Sequence, residues 1–428
     1  MFRKLIALCV FILAAGNVHA ALQIQITGGI NEGRKIIVLP FEQPANVSVD
    51  VGAVVTADLM RSGKFSPLAS AQIPANAKTA DGVNISALAD TNAEAVVVGK
   101  VFADGANYQV EHQLISLQGE NKGQILEHRR GPSSLMDMRQ AAHRVSDRVY
   151  EKLTGQPGAF RTRIAYILHK VGDKFPYQLM TADYDGFNET PILKSTEPVM
   201  TPSWSRQGDR LVYVSFEKRK PAIFIHNIFT KQRIQLASYP GLNSSPSWSP
   251  DGTKIAMTLS KDGNPDIYYY DLVGRKLQRV TNSSSIDTEP SWSSDSKSLF
   301  FTSERGGRAQ IYKYNLGTQQ TERITYQGSM NLSSRSVPGT DNLIVITRQQ
   351  GFRVARVDSD GSIYMLTTSS LDESPSVAPN GSMIIYSTVY QGRKGLAIVS
   401  SDGRFKANLP STSGEVSSPA WGPLTPLN

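Results

Sequence analysis

The sequence predicts a two-part chain: a small N-terminal α/β domain over 21–158, then a six-bladed β-propeller over 159–428 closed by a C-terminal strand. Three observations predict this. A Pro-Ser-Trp-Ser segment recurs at Pro202, Pro246 and Pro290, with weaker copies at Ser334, Pro375 and Pro419, so the spacings are 44, 44, 44, 41 and 44. Each unit holds four short strand patterns separated by Asp-Gly or Asn-Gly turns, the signature of a propeller blade. The second-strand pattern occurs six times, near Ile164, Leu211, Ile255, Leu299, Leu343 and Ile384, out of phase with six first-strand patterns from Pro202 to Pro419. The array therefore begins on a second strand and ends on a first strand, and one blade must combine both ends, which leaves no terminal edge unpaired.

Residues 1–20 read as a signal peptide. Arg3 and Lys4 precede an apolar stretch over 5–16 that is too short to cross a bilayer, and Val18-His19-Ala20 offers small residues at the cleavage positions. Next, Leu22, Ile24 and Ile26 alternate with polar residues as in a strand with one buried face, and 35–40 reads as a second strand. Val47, Val51, Val54, Val55 and Leu59 fall on one helical stripe that stops at Gly63. Strands are expected at 95–101, 108–117 and 124–128. Leu135, Met138, Ala142, Val145, Val149 and Leu153 define a long amphipathic helix that ends at Gly155, with 155–158 as the linker.

Within a blade, the Trp segment is followed by a tight turn (250–252, 379–381), a second strand (255–259, 384–387), an aromatic third strand (267–270, 311–314) and a fourth strand (278–281, 322–325). The Trp side chains are expected to pack between blades.

Composition excludes several classes. Apolar residues make up 40% of the chain and there are 34 glycines, a globular balance. Cys9 is the only cysteine and lies in the signal region, so the mature chain has no disulfide, thiolate metal site or cysteine nucleophile. Residues 21–158 carry 13 basic and 14 acidic groups and 159–428 carry 30 and 23, a diffuse excess with one short run at 218–220. That argues against nucleic acid as a partner. The glycines form neither a P-loop nor a dinucleotide fingerprint. His112, His128 and His143 lack metal-helix spacing, and there is no Gly-x-Ser-x-Gly. Ser294-Asp295-Ser296-Lys297 sits in a turn slot, as do the calcium-loop look-alikes at 183–186 and 358–361. No catalytic residue, metal or cofactor is expected.

Loops before each first strand, and those joining second to third strands, read as the longer ones, on one face of the ring. The former carry Glu197, Asp287, Glu289, Asp372, Glu373 and Glu415 against one base, Lys194. The latter carry Arg305, Lys394 and other bases. The expectation is an acidic mouth inside a basic rim, suited to steering a charged protein or peptide.

The segments 153–155, 158–166, 183–188, 372–376 and 401–406 (Leu-Thr-Gly, Gly-Ala-Phe-Arg-Thr-Arg-Ile-Ala-Tyr, Asp-Tyr-Asp-Gly-Phe-Asn, Asp-Glu-Ser-Pro-Ser and Ser-Asp-Gly-Arg-Phe-Lys) resemble the TolB family, the propeller proteins of the Tol-Pal system, over the whole mature chain. The resemblance implies a non-enzymatic periplasmic scaffold, a monomer within a larger envelope complex, that supports outer-membrane invagination at division. It implies binding of the peptidoglycan-associated lipoprotein Pal at the mouth and of TolA through the N-terminal segment, with other outer-membrane proteins as further candidates. The contacts expected at the mouth are Glu197, Leu242, Asn243, Ser245, Asp287, Thr288, Glu289, Asn331, Asp372, Glu373 and Glu415; those in the N-terminal segment are Leu22, Ile24 and Ile26. The fourth blade departs from the repeat at Ser334-Arg335-Ser336-Val337, and the fifth has Val377 in place of Trp. A different class, a periplasmic hydrolase or lyase acting on glycan or peptide, would use Asp287, Glu289 or Glu373 as acid and base.

Overall fold

The computed structural model describes residues 22, 25–28, 33–79, 82–409 and 411–424. The expected signal peptide and Ile24 lie outside the described residues. In the N-terminal part, a mixed five-stranded sheet runs in the order Phe65–Pro67, Arg34–Val38, Ala95–Asp104, Asn107–Ser116, Ile125–Ser133. The first three strands are parallel and the last two add antiparallel. Helices α1 (Val51–Arg61) and α2 (Met138–Thr154) cover one face.

Both helices start later than the apolar spacing suggests. Asp50 caps α1 by accepting from the Ala53 N–H at 2.9 Å, so Val47 belongs to the preceding turn, although it is buried. A Ser134–Asp137 side-chain bond at 2.7 Å closes the turn before α2, leaving Leu135 outside the helix and 48% exposed. Gly155 ends α2 at φ 72°, where a side chain would be strained. Gly63, after α1, has φ 73°, and a Cβ there would lie 2.5 Å from Cβ of Ser400 in the propeller. Glycine therefore permits both the turn and the approach of the two parts.

The propeller has six blades of four antiparallel strands, numbered here from the first Trp segment. Their first strands are Val199–Trp204, Asn243–Trp248, Asp287–Trp292, Asn331–Ser336, Glu373–Val377 and Glu415–Trp421. Blade six is the expected splice: Glu415–Trp421 pairs with Arg163–His169, followed by Tyr177–Asp183 and Thr190–Ser195. The 41-residue spacing has a local cause. In blade four the second and third strands are joined by 349–351 alone, against 304–309 in blade three. In blade five the same connection is 391–392, so the expectation of long loops there fails in two blades.

The tryptophans act as staples between structural units. Trp204 Nε1 donates to Ala420 O of blade six at 3.1 Å, and Trp292 Nε1 to Ser247 O of blade two at 3.0 Å. Trp421 Nε1 donates to Thr162 Oγ1 at 2.7 Å, and its ring stacks on Tyr184. Trp248 alone turns back to its own turn, at Gly252 O. One apolar core runs from α1 and α2 (Val55, Leu59, Val145, Val149) into blades five and six (Ile398, Phe405, Tyr166, Trp421), so the two parts share buried surface.

The chain's first strand is part of the ring. Gln25–Gly28 pairs antiparallel with Lys406–Leu409 as a fifth, outermost strand of blade five, and Leu22 bridges to Ser411 and is 1% exposed.

Candidate interaction surface of the propeller

Each first strand carries a β-bulge within its first half, and in every blade a non-glycine residue adopts positive φ there. These are Thr201, Ser245, Glu289, Ser333, Ser374 and Ser418, with φ between 48° and 53°. Six such residues form a ring around the axial channel, five with hydroxyls and one with a carboxylate. Ser245 and Glu289 are thus channel residues rather than loop residues. Glu289 accepts from the Ser333 N–H at 3.0 Å, Ser333 Oγ at 2.7 Å and Thr302 Oγ1 at 3.0 Å.

The N-terminal part rests on the turn face of blades five and six. Lys64 lies 3.6 Å from Asp402, and Asn380 Nδ2 donates to Pro157 O at 2.9 Å. The opposite face, where loops enter the first strands, forms the mouth.

The mouth follows a rule that the acidic residues hide. Val199, Asn243, Asp287, Asn331, Asp372 and Val416 occupy one repeat position, and all are buried. Where polar, each holds its own loop. Asn243 accepts from Tyr239 N and donates to Tyr239 O. Arg305 donates to Asp287 at 2.7 Å. Asn331 donates to Gln310 Oε1 and Gln327 O. Asp372 accepts from Thr388 and Ser369, both at 2.7 Å, and from Thr367. Of the other expected contacts, Glu373 receives Lys394 at 2.5 Å and Glu415 lies 4.0 Å from His169. Glu197 and Thr288 are half-buried. Arg305 and Lys394, two of the bases expected in a basic rim, are paired with these acids, so at blades three and five acid and base are not set apart.

The residue just before the loop anchor is apolar in four consecutive blades, exposed at Leu242, Ile286 and Leu371 and half-buried at Met330. Leu242 is 37% exposed, Ile286 44% and Leu371 57%, and Met200 beside them is 45% exposed. Of this set, the sequence reading selected only Leu242. The signal that could have found the others was the 44-residue period applied one position upstream.

Among the described residues, the acids proposed for acid–base work are each held by other groups. Asp287 is buried against Arg305, Glu289 is held by three donors, and Glu373 is paired with Lys394. The potential metal ligands that do converge lie elsewhere, where Asp58 of α1, His143 of α2 and Asp185 of blade six meet fully buried. His143 Nδ1 is 2.7 Å from Asp58, and Ser146 and Tyr184 donate to Asp58. Arg61 lies 3.6 Å from both carboxylates, and Arg139 bonds to Asp185. Burial alone would lower the His143 pKa, but Asp58 and Asp185 outweigh it and raise it; burial would raise Asp185, but His143, Arg139 and Arg61 bring it below the usual carboxylate value. Two guanidinium groups and an imidazolium already supply the cations that these two carboxylates need, so the cluster is an ionic joint between the two parts rather than a vacant metal cage.

Fold and site together define a six-bladed propeller joined to an α/β domain through a buried ionic joint, with an outward apolar mouth on its free face. Comparison with known proteins gives the particular family. Residues 150–425 match the model of the TolB beta propeller domain and 22–122 that of the TolB amino-terminal domain. The chain is 50% identical over 425 residues to the Tol-Pal system protein TolB of Mannheimia succiniciproducens, covering 99% of this chain and 97% of that one. It is 52% identical over 423 residues to the protein of that name from Sodalis glossinidius, covering 98% of each. The crystal structure of TolB from Acinetobacter baumannii superposes with a TM-score of 0.86 at 38% identity, covering 94% of this chain and all of that one. The chain belongs to the TolB family.

Proposed function

We propose that this protein is a non-enzymatic periplasmic scaffold of the Tol-Pal system that supports outer-membrane invagination and envelope integrity during division. It binds the lipoprotein Pal at the propeller mouth and TolA through its N-terminal segment. The observation that carries the first contact is the run of exposed apolar residues Leu242, Ile286 and Leu371, each set on a loop whose next residue is buried and internally bonded. Rigid apolar side chains ringed by polar groups have the character of interface hot spots, because docking removes them from water at little cost in loop ordering. The buried Asn243, Asp287, Asn331 and Asp372 then act as loop anchors, while Leu242, Met200 and their neighbours make the contact.

For TolA, the support is the position of Gln25–Gly28. A short strand on the outer edge of a blade can leave that edge and add to the sheet of a partner with the same backbone hydrogen bonds. The test is binding of the purified soluble domain of Pal to the chain by titration calorimetry, with Leu371→Asp and Ile286→Asp as variants. Affinity should fall at least 30-fold for the pair, by loss of roughly 2 kcal/mol or more. Unchanged affinity in a folded double variant would overturn the mouth assignment.

A further inference from the structure

From the bulge ring toward the turn face, the channel forms a cavity of about 460 Å³. All four tryptophans of the chain border it, with Pro338, Pro379 and Pro423. Arg335 of blade four reaches into this space. The same repeat position holds Ser203, Ser247, Ser291, Ser376 and Ala420 in the other blades. Three of those serines tie neighbouring blades together: Ser203 Oγ accepts from Trp248 N, Ser376 Oγ from Trp421 N, and Ser291 Oγ shares a bond with Ser334 Oγ at 3.2 Å. An arginine has no acceptor and cannot replace that bond, so ring assembly does not explain its presence.

Arg335 donates from one nitrogen to Ser334 O at 2.7 Å, and among the described residues it forms no ion pair within 4 Å. Burial pushes it below the ordinary guanidinium value, with Glu289 the one charge that opposes the shift. Glu289, by contrast, already receives three hydrogen bonds from Ser333 and Thr302. The unused capacity in the channel is therefore on the donor side, and a ligand that completes it must bring acceptors.

We propose that the lower channel is a carboxylate-binding site, in which the Arg335 fork holds a carboxylate whose apolar or aromatic body lies against the tryptophan edges and proline rings. A planar guanidinium with free parallel N–H groups matches a carboxylate in two-point geometry. The apolar walls favour an acid with a hydrophobic body over inorganic anions, and the volume is that of a small-molecule pocket. The acid can arrive as a free aryl-alkanoate or as the acidic side chain of a peptide inserted from the turn face; both present the same group. This site is distinct from the mouth and does not rest on the proposed binding of Pal.

Because every tryptophan borders the cavity, intrinsic fluorescence reports directly on occupancy. The full-length mature protein is titrated with 3-phenylpropionate and, in parallel, with 3-phenylpropionamide, inorganic phosphate and the blocked dipeptides acetyl-Phe-Asp-amide and acetyl-Phe-Asn-amide. The proposal expects a saturable change with the acid, affinity at least about tenfold weaker for the amide, and a similar loss in Arg335→Ser. That variant installs the residue four other blades tolerate; Arg335→Gln, which keeps more volume, serves if it fails to fold. Arg206→Ala, at the exposed rim, should bind the acid as the parent does. Tighter binding of the Asp dipeptide than of the free acid assigns the site to a peptide, and the reverse to a small acid. Equal binding of acid and amide, phosphate binding as tight as the acid, or undiminished binding in Arg335→Ser would overturn it.

Discussion

Truncating Trp421 tests how the ring is closed. Trp421 is 7% exposed, donates to Thr162 and stacks on Tyr184 with centroids 6.2 Å apart. Trp421→Ala removes a buried indole, worth about 3–5 kcal/mol, and a hydrogen bond worth about 1 kcal/mol. Thr162 still donates to Ala159 O, so no orphan donor is added. The expected total is about 4–6 kcal/mol. At about 2 °C per kcal/mol for a cooperative unit of this size, the melting temperature should fall by about 8–12 °C. Trp421→Phe keeps a ring against Tyr184 and loses the donor, so it should cost about 1–2 kcal/mol, one bond plus a smaller packing loss. Trp248→Ala should cost less than Trp421→Ala, because the Trp248 indole bonds only within its own turn and belongs to a core confined to neighbouring blades. The assay is scanning calorimetry with near-ultraviolet circular dichroism. A Trp421→Ala protein melting within about 2 °C of the parent would refute the closure argument.

Three further outcomes follow from the joint between the two parts and from the first strand. Burial pushes the Asp147 carboxyl up to about 7, against the opposing Phe160 N–H bond. Its folded value lies above its unfolded one, so its contribution to stability is present below pH ~4 and is lost as pH rises through about 7; Asp147→Asn should flatten that decline in a urea-melt series from pH 4 to 8 and raise stability at pH 8 by about 3 kcal/mol. Gly63→Ala should lower the melting temperature by several degrees, since the new Cβ meets Ser400 and the backbone has φ 73°, a cost of about 2 kcal/mol or more; an unchanged melt would show that the approach of the two parts is slack. Deleting 22–28 should abolish TolA capture in a pull-down while the propeller keeps its melting transition, and normal capture would locate that contact elsewhere.

The ring was legible in the sequence because a blade is a local object. Four strands and their turns lie within one 44-residue period, so Trp204, Trp248 and Trp292 recur visibly, and the splice followed from phase alone. The polarity of the mouth was not legible for the opposite reason. Asp287 and Arg305 look like free charges when counted, and only the folded loop brings them to 2.7 Å. Leu242 and Asn243 are adjacent, yet one faces water and the other is buried, so a count over eight positions mixes two roles. The joint of Asp58, His143 and Asp185 gathers residues from α1, α2 and blade six, and no local spacing announces it. The late start of α2 reflects a competing Ser134–Asp137 turn that apolar periodicity does not register.

Pal binding at the apolar mouth makes a sharp demand on its energetics. The most direct measurement is the dissociation constant for the soluble domain of Pal, taken for the parent chain, for Ile286→Asp/Leu371→Asp and for Glu197→Lys, a charge change at a half-buried acid on the same face. At least a 30-fold loss is expected for the double apolar variant and less than about fivefold for the charge variant, since surface charges contribute about 1 kcal/mol or less. The reverse order, with the charge variant crippled and the apolar variant intact, would contradict it.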